Sequence, residues 1–363
     1  MNDAGHLRAR LLSALGLCAL VTSFAPAGCA GSSSAEEQRQ QLEPSCDRGT
    51  VQCFPPGQTH FNPGNVPNPA PPPEPTFDEN GCQIVSEVRD GCCNAAQTAG
   101  FVDGQCCYGF CTGACCGRPM IVDGAPRLAG VERRSDWAAP HGDGAPELSS
   151  ELRELVAASW LEDARLEHAS IASFARFVLD LLALGAPAEL VEAAQRALAD
   201  EIRHAQGCFA LASFYAGAPF GPGTLNLTGV SASASLADAA AAAVREGCIG
   251  ETIAAFTARA QAAQAVAPRA RDLLERIADD EASHAELAWR FVRWALAQGD
   301  EAVRRSVRKA FAESHSELQA PQPEEPNEAL LNAHGRLSGR QQRELAHQAL
   351  CEIVAPCAHA LLG

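Results

Sequence analysis

The chain has 363 residues, and 44 acidic against 28 basic side chains give it a net charge of −16 and a pI near 5.1. That balance excludes a protein that holds nucleic acid through backbone phosphates. With 47% hydrophobic residues wholesale disorder is excluded as well, and the length allows two or three domains. Lys309 is the only lysine and alanine is abundant everywhere, so the run from Ala239 to Ala243 reflects composition rather than function.

His6, Arg8 and Arg10 precede an apolar run from Leu11 to Phe24, followed by Ala25-Pro26-Ala27-Gly28-Cys29. Basic residues, a short apolar stretch and small residues in that order read as an export leader over residues 1–29, too short to cross a bilayer. The placement of Cys29 after Ala27-Gly28 resembles the lipobox of bacterial lipoproteins, with Pro26 where an aliphatic residue is usual. The resemblance implies that Cys29 is acylated and tethers the chain to a membrane, in the periplasm, at the outer membrane or on the cell surface. Ordinary cleavage nearby is the alternative. No other segment reads as long and apolar enough to span a bilayer.

Residues 30–81 read as a tether, polar at first and then proline-rich, with nine of the 23 prolines between Phe54 and Phe77. Ten of the 16 cysteines lie between Cys46 and Cys116, a density expected where disulfides form. Residues 82–116, with Cys82, Cys92-Cys93, Cys106-Cys107, Cys111 and Cys115-Cys116, read as a small disulfide-stapled module of little strand or helix periodicity. No Cys-x-x-Cys knuckle occurs there, which argues against a zinc or rubredoxin-type iron site. Residues 117–148, rich in Gly, Pro and Asp, read as a linker.

At Ser149 the sequence becomes strongly helical. Long helices are predicted over 149–184, 187–216, 235–265 and 268–298, bounded by Ser149, Gly185, Pro187, Gly217, Ser235, Pro268 and Gly299. Short turns join the first two and the last two, and a glycine- and proline-containing connection of residues 217–234 joins the pairs. That is an all-α layout, a four-helix bundle with one long crossover. A shorter fifth helix follows Asp300 and completes a domain of residues 149–318; the tail of 319–363 is a proline linker and a C-terminal helix over about 338–362.

Each long helix carries an apolar stripe broken by acid. The first reads Trp160, Ala164, Glu167, Ile171, Phe174, Val178, Leu181; the second Ala194, Leu198, Glu201, His204 or Ala205, Cys208, Leu211. The third reads Ala240, Val244, Gly247, Glu251, Ala254, Ala258, and the fourth Leu274, Ile277, Glu281, His284, Ala288, Phe291. Four carboxylates gathered in a dry core would each cost several kcal/mol and repel one another. Two divalent cations offset four carboxylates, and with two neutral imidazoles the oxygen and nitrogen donors suit iron or manganese. Glu167 precedes Glu201 by 34 residues and Glu251 precedes Glu281 by 30, separations that set the midpoints of two hairpinned helices side by side. Glu162 and Glu246 lie off the stripes and read as solvated; His168, one residue off, reads as a surface residue or a neighbour of the ligands.

A lone Glu on each of two helices and Glu-x-x-His on each of the other two resembles the ferritin-like di-iron carboxylate superfamily, over about residues 149–298. The resemblance implies a site of Glu167, Glu201, His204, Glu251, Glu281 and His284 holding two Fe ions, with Mn or mixed Mn/Fe as alternatives, and Glu201 and Glu281 as bridges. Asp200 and Asp280 precede the two motifs. In similar proteins an aspartate there accepts a hydrogen bond from the ligating histidine of the opposite pair, which implies Asp200 to His284 and Asp280 to His204.

Members of this superfamily do many things. A Cys208 where tyrosyl-radical members place Tyr, with Tyr215 the nearest tyrosine, argues against a radical subunit. The tether argues against a closed storage shell. An extracytoplasmic oxidoreductase reacting with O2 or peroxide remains, of ferroxidase, peroxidase or oxygenase type, acting on Fe(II) or a small molecule and compatible with a homodimer. The alternative is a lipid-anchored metal-binding or interaction protein whose metals are structural. Cys208 and Cys248 read as buried thiols, and Cys351 and Cys357 as able to bridge each other or the helices.

Overall fold

The computed structural model describes residues 3–16, 49–54, 78–82, 89–90, 94–102, 105–111, 118–122, 125–137, 148–233, 235–312 and 327–363. Cys29, the proline-rich residues 55–77 and most of the paired cysteines of the module lie outside them.

Residues 3–16, within the segment read as an export leader, form helix α1 (Asp3–Ala14) and its closing turn. Leu11 and Leu15 are buried in the main core, and Arg10 is 3.2 Å from Glu286. The cysteine-rich region is not free of regular structure: β1 (Gly49–Phe54), β2 (Arg89–Asp90), β3 (Asn94–Val102) and β4 (Gln105–Cys111) form an antiparallel sheet in the order β1-β4-β3-β2. Strand β1 falls in the segment read as tether. A disulfide joins Cys82 to Cys106 on β4.

Residues 118–122 and 125–137, read as linker, pack as a strap along the helices, with Met120, Ala129 and Val131 buried. Within it β5 (Ile121–Val122) pairs with β6 (Ala125–Pro126), and β7 (Val131–Glu132) follows. Arg165 ties the strap down by donating to the Ala129 carbonyl at 3.0 Å.

The helical part is built by cap chemistry. Helix α2 (Ser150–Ala183) starts where the Ser149 hydroxyl accepts from the Leu152 amide, and stops at Gly185, whose φ of +66° only glycine adopts without strain. Helix α3 (Ala188–Ala216) returns antiparallel along α2 and ends at Gly217, also left-handed. In the connection that follows, β8 (Gly221–Pro222) pairs with β7 of the strap. Ser235 caps α4 (Leu236–Ala243), which runs into a π-helical segment (Val244–Glu251) and then α5 (Thr252–Gln264). The third long helix is therefore interrupted, a feature that a 3.6-residue period does not reveal. Helix α6 (Pro268–Gln298) packs antiparallel to α5 and beside α3; α7 (Glu301–Ala312) follows.

The tail contains α8 (Glu328–Ala333), α9 (Gly339–Ala349), a second π turn (Leu350–Val354) and α10 (Ala355–Leu362). By length and composition Gly339–Leu362 is apolar enough to cross a bilayer, contrary to the reading that no segment after the leader is. Its Ala349, Ile353, Val354 and Cys357 are buried in the main core. Cys208, Cys248 and Cys357 are buried and Cys351 is exposed, and none of the four is in a disulfide.

The core is divided. One apolar block gathers Phe174, Phe177, Leu181, Leu190, Trp289 and Phe291; the other gathers Trp160, Leu161, Phe209, Leu211, Leu274 and Ile277. On α2, α3 and α6 the boundary between the blocks falls at Glu167, Glu201–His204 and Glu281–His284. Close approach across this level depends on Gly247, where an added Cβ would lie 2.3 Å from the Ala288 Cβ on α6. Gly247→Ala is expected to destabilise the fold by about 1–3 kcal/mol through overpacking, lowering the thermal midpoint by several degrees. An unchanged melting curve would show that the two segments can part freely.

Candidate metal centre

Glu167 on α2, Glu201 and His204 on α3, Glu251 at the end of the π segment, and Glu281 and His284 on α6 meet at the polar level. All six are buried, none more than 4% exposed. They form two overlapping sets: Glu167, Glu201, His204 and Glu281, then Glu201, Glu251, Glu281 and His284, each with one donor atom per residue within 4.8 Å of the others. Glu201 and Glu281 belong to both sets, and the i, i+3 spacing puts each Glu and its His on one helix face.

The two imidazoles are oriented alike. His204 turns Nδ1 inward, 3.6 Å from Glu167 and 3.4 Å from Glu281, and its Nε2 lies 3.0 Å from Asp280 Oδ2. His284 turns Nδ1 inward, 3.1 Å from Glu201 and 3.4 Å from Glu281, and its Nε2 lies 3.3 Å from Asp200 Oδ2. Each aspartate thus serves the histidine of the opposite motif. A proton on Nε2 donated to the aspartate leaves the Nδ1 lone pair facing the carboxylates. Asp200 also pairs with Arg203.

Buried polar atoms are normally paired, yet nine in this cluster have no hydrogen-bond partner: one oxygen of Glu167, both of Glu201, Glu251 and Glu281, and Nδ1 of both histidines. Such a concentration of inward-facing orphan donors fits cations. Electrostatics points the same way. Burial pushes Glu167 and Glu251 well above the usual carboxylate range, and the other carboxylates push in the same direction. Burial alone would lower the imidazoles, but Asp280, Glu167 and Glu281 hold His204 well above its usual value, and Glu201 and Glu281 raise His284 to about 10. Glu281 is held far down: burial opposes this, and the two imidazoles outweigh it. Left to itself the cluster stores protons that cations would displace.

His168 stands outside both sets, its ring edge-on to Trp137 at 5.1 Å. Glu162 pairs with Arg165 at 3.1 Å. Glu246, read as solvated, is half-buried between Arg118 and Arg176. Arg118 and Arg176 escaped the sequence reading, because the partner that buries Arg118 lies 128 residues away. Phe174, a stripe residue, sets its ring against His284 at 5.1 Å.

The chain matches no known family model, no curated protein and no solved structure.

Asp280→Asn preserves shape but removes the charge that His204 Nε2 meets. Metal affinity is expected to fall about 10- to 100-fold, measured by competition with a chelator of known affinity. Unaltered affinity would reduce Asp280 to a surface residue.

Proposed function

We propose that this is an exported, ferritin-like protein, a four-helix bundle of α2, α3, the α4-to-α5 run and α6, which holds two iron or manganese ions and acts as an oxidoreductase on O2 or peroxide. The observation that carries this reading is the set of nine orphaned donor atoms in two overlapping groups. Glu201 and Glu281 would bridge the ions, Glu167 and Glu251 would each complete one of them, and the histidines would bind through Nδ1. Bound redox-active ions supply electrons for the reduction of oxygen or peroxide. The chain's own part is to hold donors of matching charge, to fix the imidazole tautomers through Asp200 and Asp280, and to keep water off the ligating atoms. The leader and an acylated Cys29 would place the activity at a membrane outside the cytosol.

One observation favours the second reading, a structural di-metal site in an anchored interaction protein: every ligand is almost fully enclosed. A single preparation separates the two. The purified full chain is exposed to Fe(II) or Mn(II) without oxygen, desalted and analysed for metal, then mixed with O2 or peroxide. About two ions per chain and rapid oxidant consumption support the oxidoreductase; two ions without consumption support the structural site. A folded chain with no ion sinks both.

A further inference from the structure

We infer that Arg118, on the strap, is a positioning residue for one half of the metal centre, holding the π-helical segment that presents Glu251 and, through Phe174, the ring of His284. The inference rests on the proposal that these residues bind metal.

Arg118 is only 2% exposed although it is a cation on an irregular segment. Its backbone amide donates to the Ser170 hydroxyl at 3.2 Å, and its Nε donates to Glu246 Oε2 at 3.0 Å. Arg176 donates to both oxygens of Glu246 at 2.7 and 2.8 Å, and the Ser173 hydroxyl donates to it at 3.2 Å. Glu246 therefore has firm partners on two separate elements, the strap and α2. It lies inside the π segment, five residues ahead of Glu251.

A π turn is a rare insertion of one residue in an α-helix, and contacts outside the helix favour its persistence. Relaxation to regular α-helix would shift the register by one residue and rotate one side of the turn against the other by roughly 100°. The ligand at its end would then be presented in another direction. Glu246, gripped by Arg118 and Arg176, fixes the segment on the strap side, and the tight seat of Gly247 against Ala288 fixes it on the α6 side.

A second route leaves the same side chain. The Arg118 guanidinium lies over the rings of Phe174 and Phe177, at 5.0 and 4.5 Å from their centroids. Phe174 in turn meets the His284 ring edge-on. Both routes end on the set that contains Glu251 and His284, whereas Glu167, the lone carboxylate of the other set, stands in the uninterrupted helix α2. The two ion positions, alike in ligands, thus differ in what holds them.

The test uses the full chain with Arg118→Gln, Arg118→Lys and Arg134→Gln. Arg134 anchors the far end of the strap by donating to the Pro222 carbonyl at 2.9 Å, and it controls for mere loosening. Mn(II) binding is measured by equilibrium dialysis and amide hydrogen exchange by mass spectrometry. In Arg118→Gln one Mn(II) should bind as in the parent and the other about 10- to 100-fold more weakly. Faster exchange should be confined to residues 244–252. Arg118→Lys should recover part of both, and Arg134→Gln should change neither. Equal weakening of both ions, or unchanged exchange at 244–252, overturns the inference. Should Arg118→Gln not fold, Glu246→Gln reports on the same turn with the aromatic contacts intact. A parent chain that takes up no Mn(II) defeats the metal reading instead, and the exchange data alone then decide whether Arg118 holds the turn.

Discussion

Glu281→Ala should take the metal content of the full chain from about two ions to near zero, whereas Glu167→Ala or Glu251→Ala should leave about one. The difference follows from membership: Glu281 belongs to both donor sets, Glu167 and Glu251 to one each. Glu281 also carries the negative charge that both imidazoles face, at 3.4 Å from each Nδ1. Removing it withdraws a donor from each ion position and leaves fewer carboxylates against the charge of two cations. Glu281→Gln keeps the volume and one neutral oxygen, so it should retain the fold while losing most of the metal. Elemental analysis alongside a helical circular dichroism spectrum reads both quantities. Two ions retained in Glu281→Ala would refute the shared-ligand arrangement, even if the single-set variants behaved as described.

Loaded and metal-free protein should answer pH with opposite signs. Each proton that a binding cation displaces makes the affinity fall tenfold per pH unit of acidification. Glu167, Glu251, His204 and His284 all hold protons more tightly than usual, so apparent affinity below neutrality should drop by about 10- to 100-fold per pH unit. Without metal the sign reverses. His284 is raised from 6.5 to about 10, so its contribution to stability is complete below pH 6.5 and is lost as the pH climbs to about 10. His204, Glu167 and Glu251, also raised, act in the same sense. Glu281 and Asp280, held down, are ionised in both folded and unfolded chains over this range and add no slope. Tyr215 and Cys357, each pushed by burial to about 12, steepen the loss only at its alkaline end. Thermal midpoints of chelator-treated protein at pH 6.5, 8 and 9.5 should therefore fall steadily. A rise over that interval would mean that the buried imidazoles are neutral without metal.

Much of the helical part was legible because its signals are local. Ser149, Gly185, Gly217, Ser235 and Pro268 each act on the few residues beside them, and the observed helices begin or end within a residue or two of them. The six inward Glu and His residues were also legible as a group, since an acid on an apolar stripe stands out whatever the partner. What escaped depends on distant segments. The π segment keeps Val244, Gly247 and Glu251 buried, so its stripe looks like that of an ordinary helix. Glu246 lies off that stripe and is half-buried, with its partners on the strap and α2. The sheet of β1 to β4 is written in Gly-, Cys- and Ala-rich strands whose alternation is too weak to read before their pairing is known.

The crossed pairing of Asp200 with His284 and Asp280 with His204 also bears on the order of events as the chain is made. Residues up to 216 supply Glu167, Glu201 and His204, and with them the aspartate that steadies the other half's histidine. They lack both Glu281 and the aspartate that steadies their own. A chain halted in the connection after α3 would display three donors around an incomplete and wrongly charged cavity, its imidazole free to turn. On the proposed ligand set, capture of an ion would wait until α6 has been delivered, and both positions would then become competent together. Under the proposed function, metal loading would be a closing event of biogenesis, and a chain exported unfolded, as proposed, would acquire its ions from the compartment it enters.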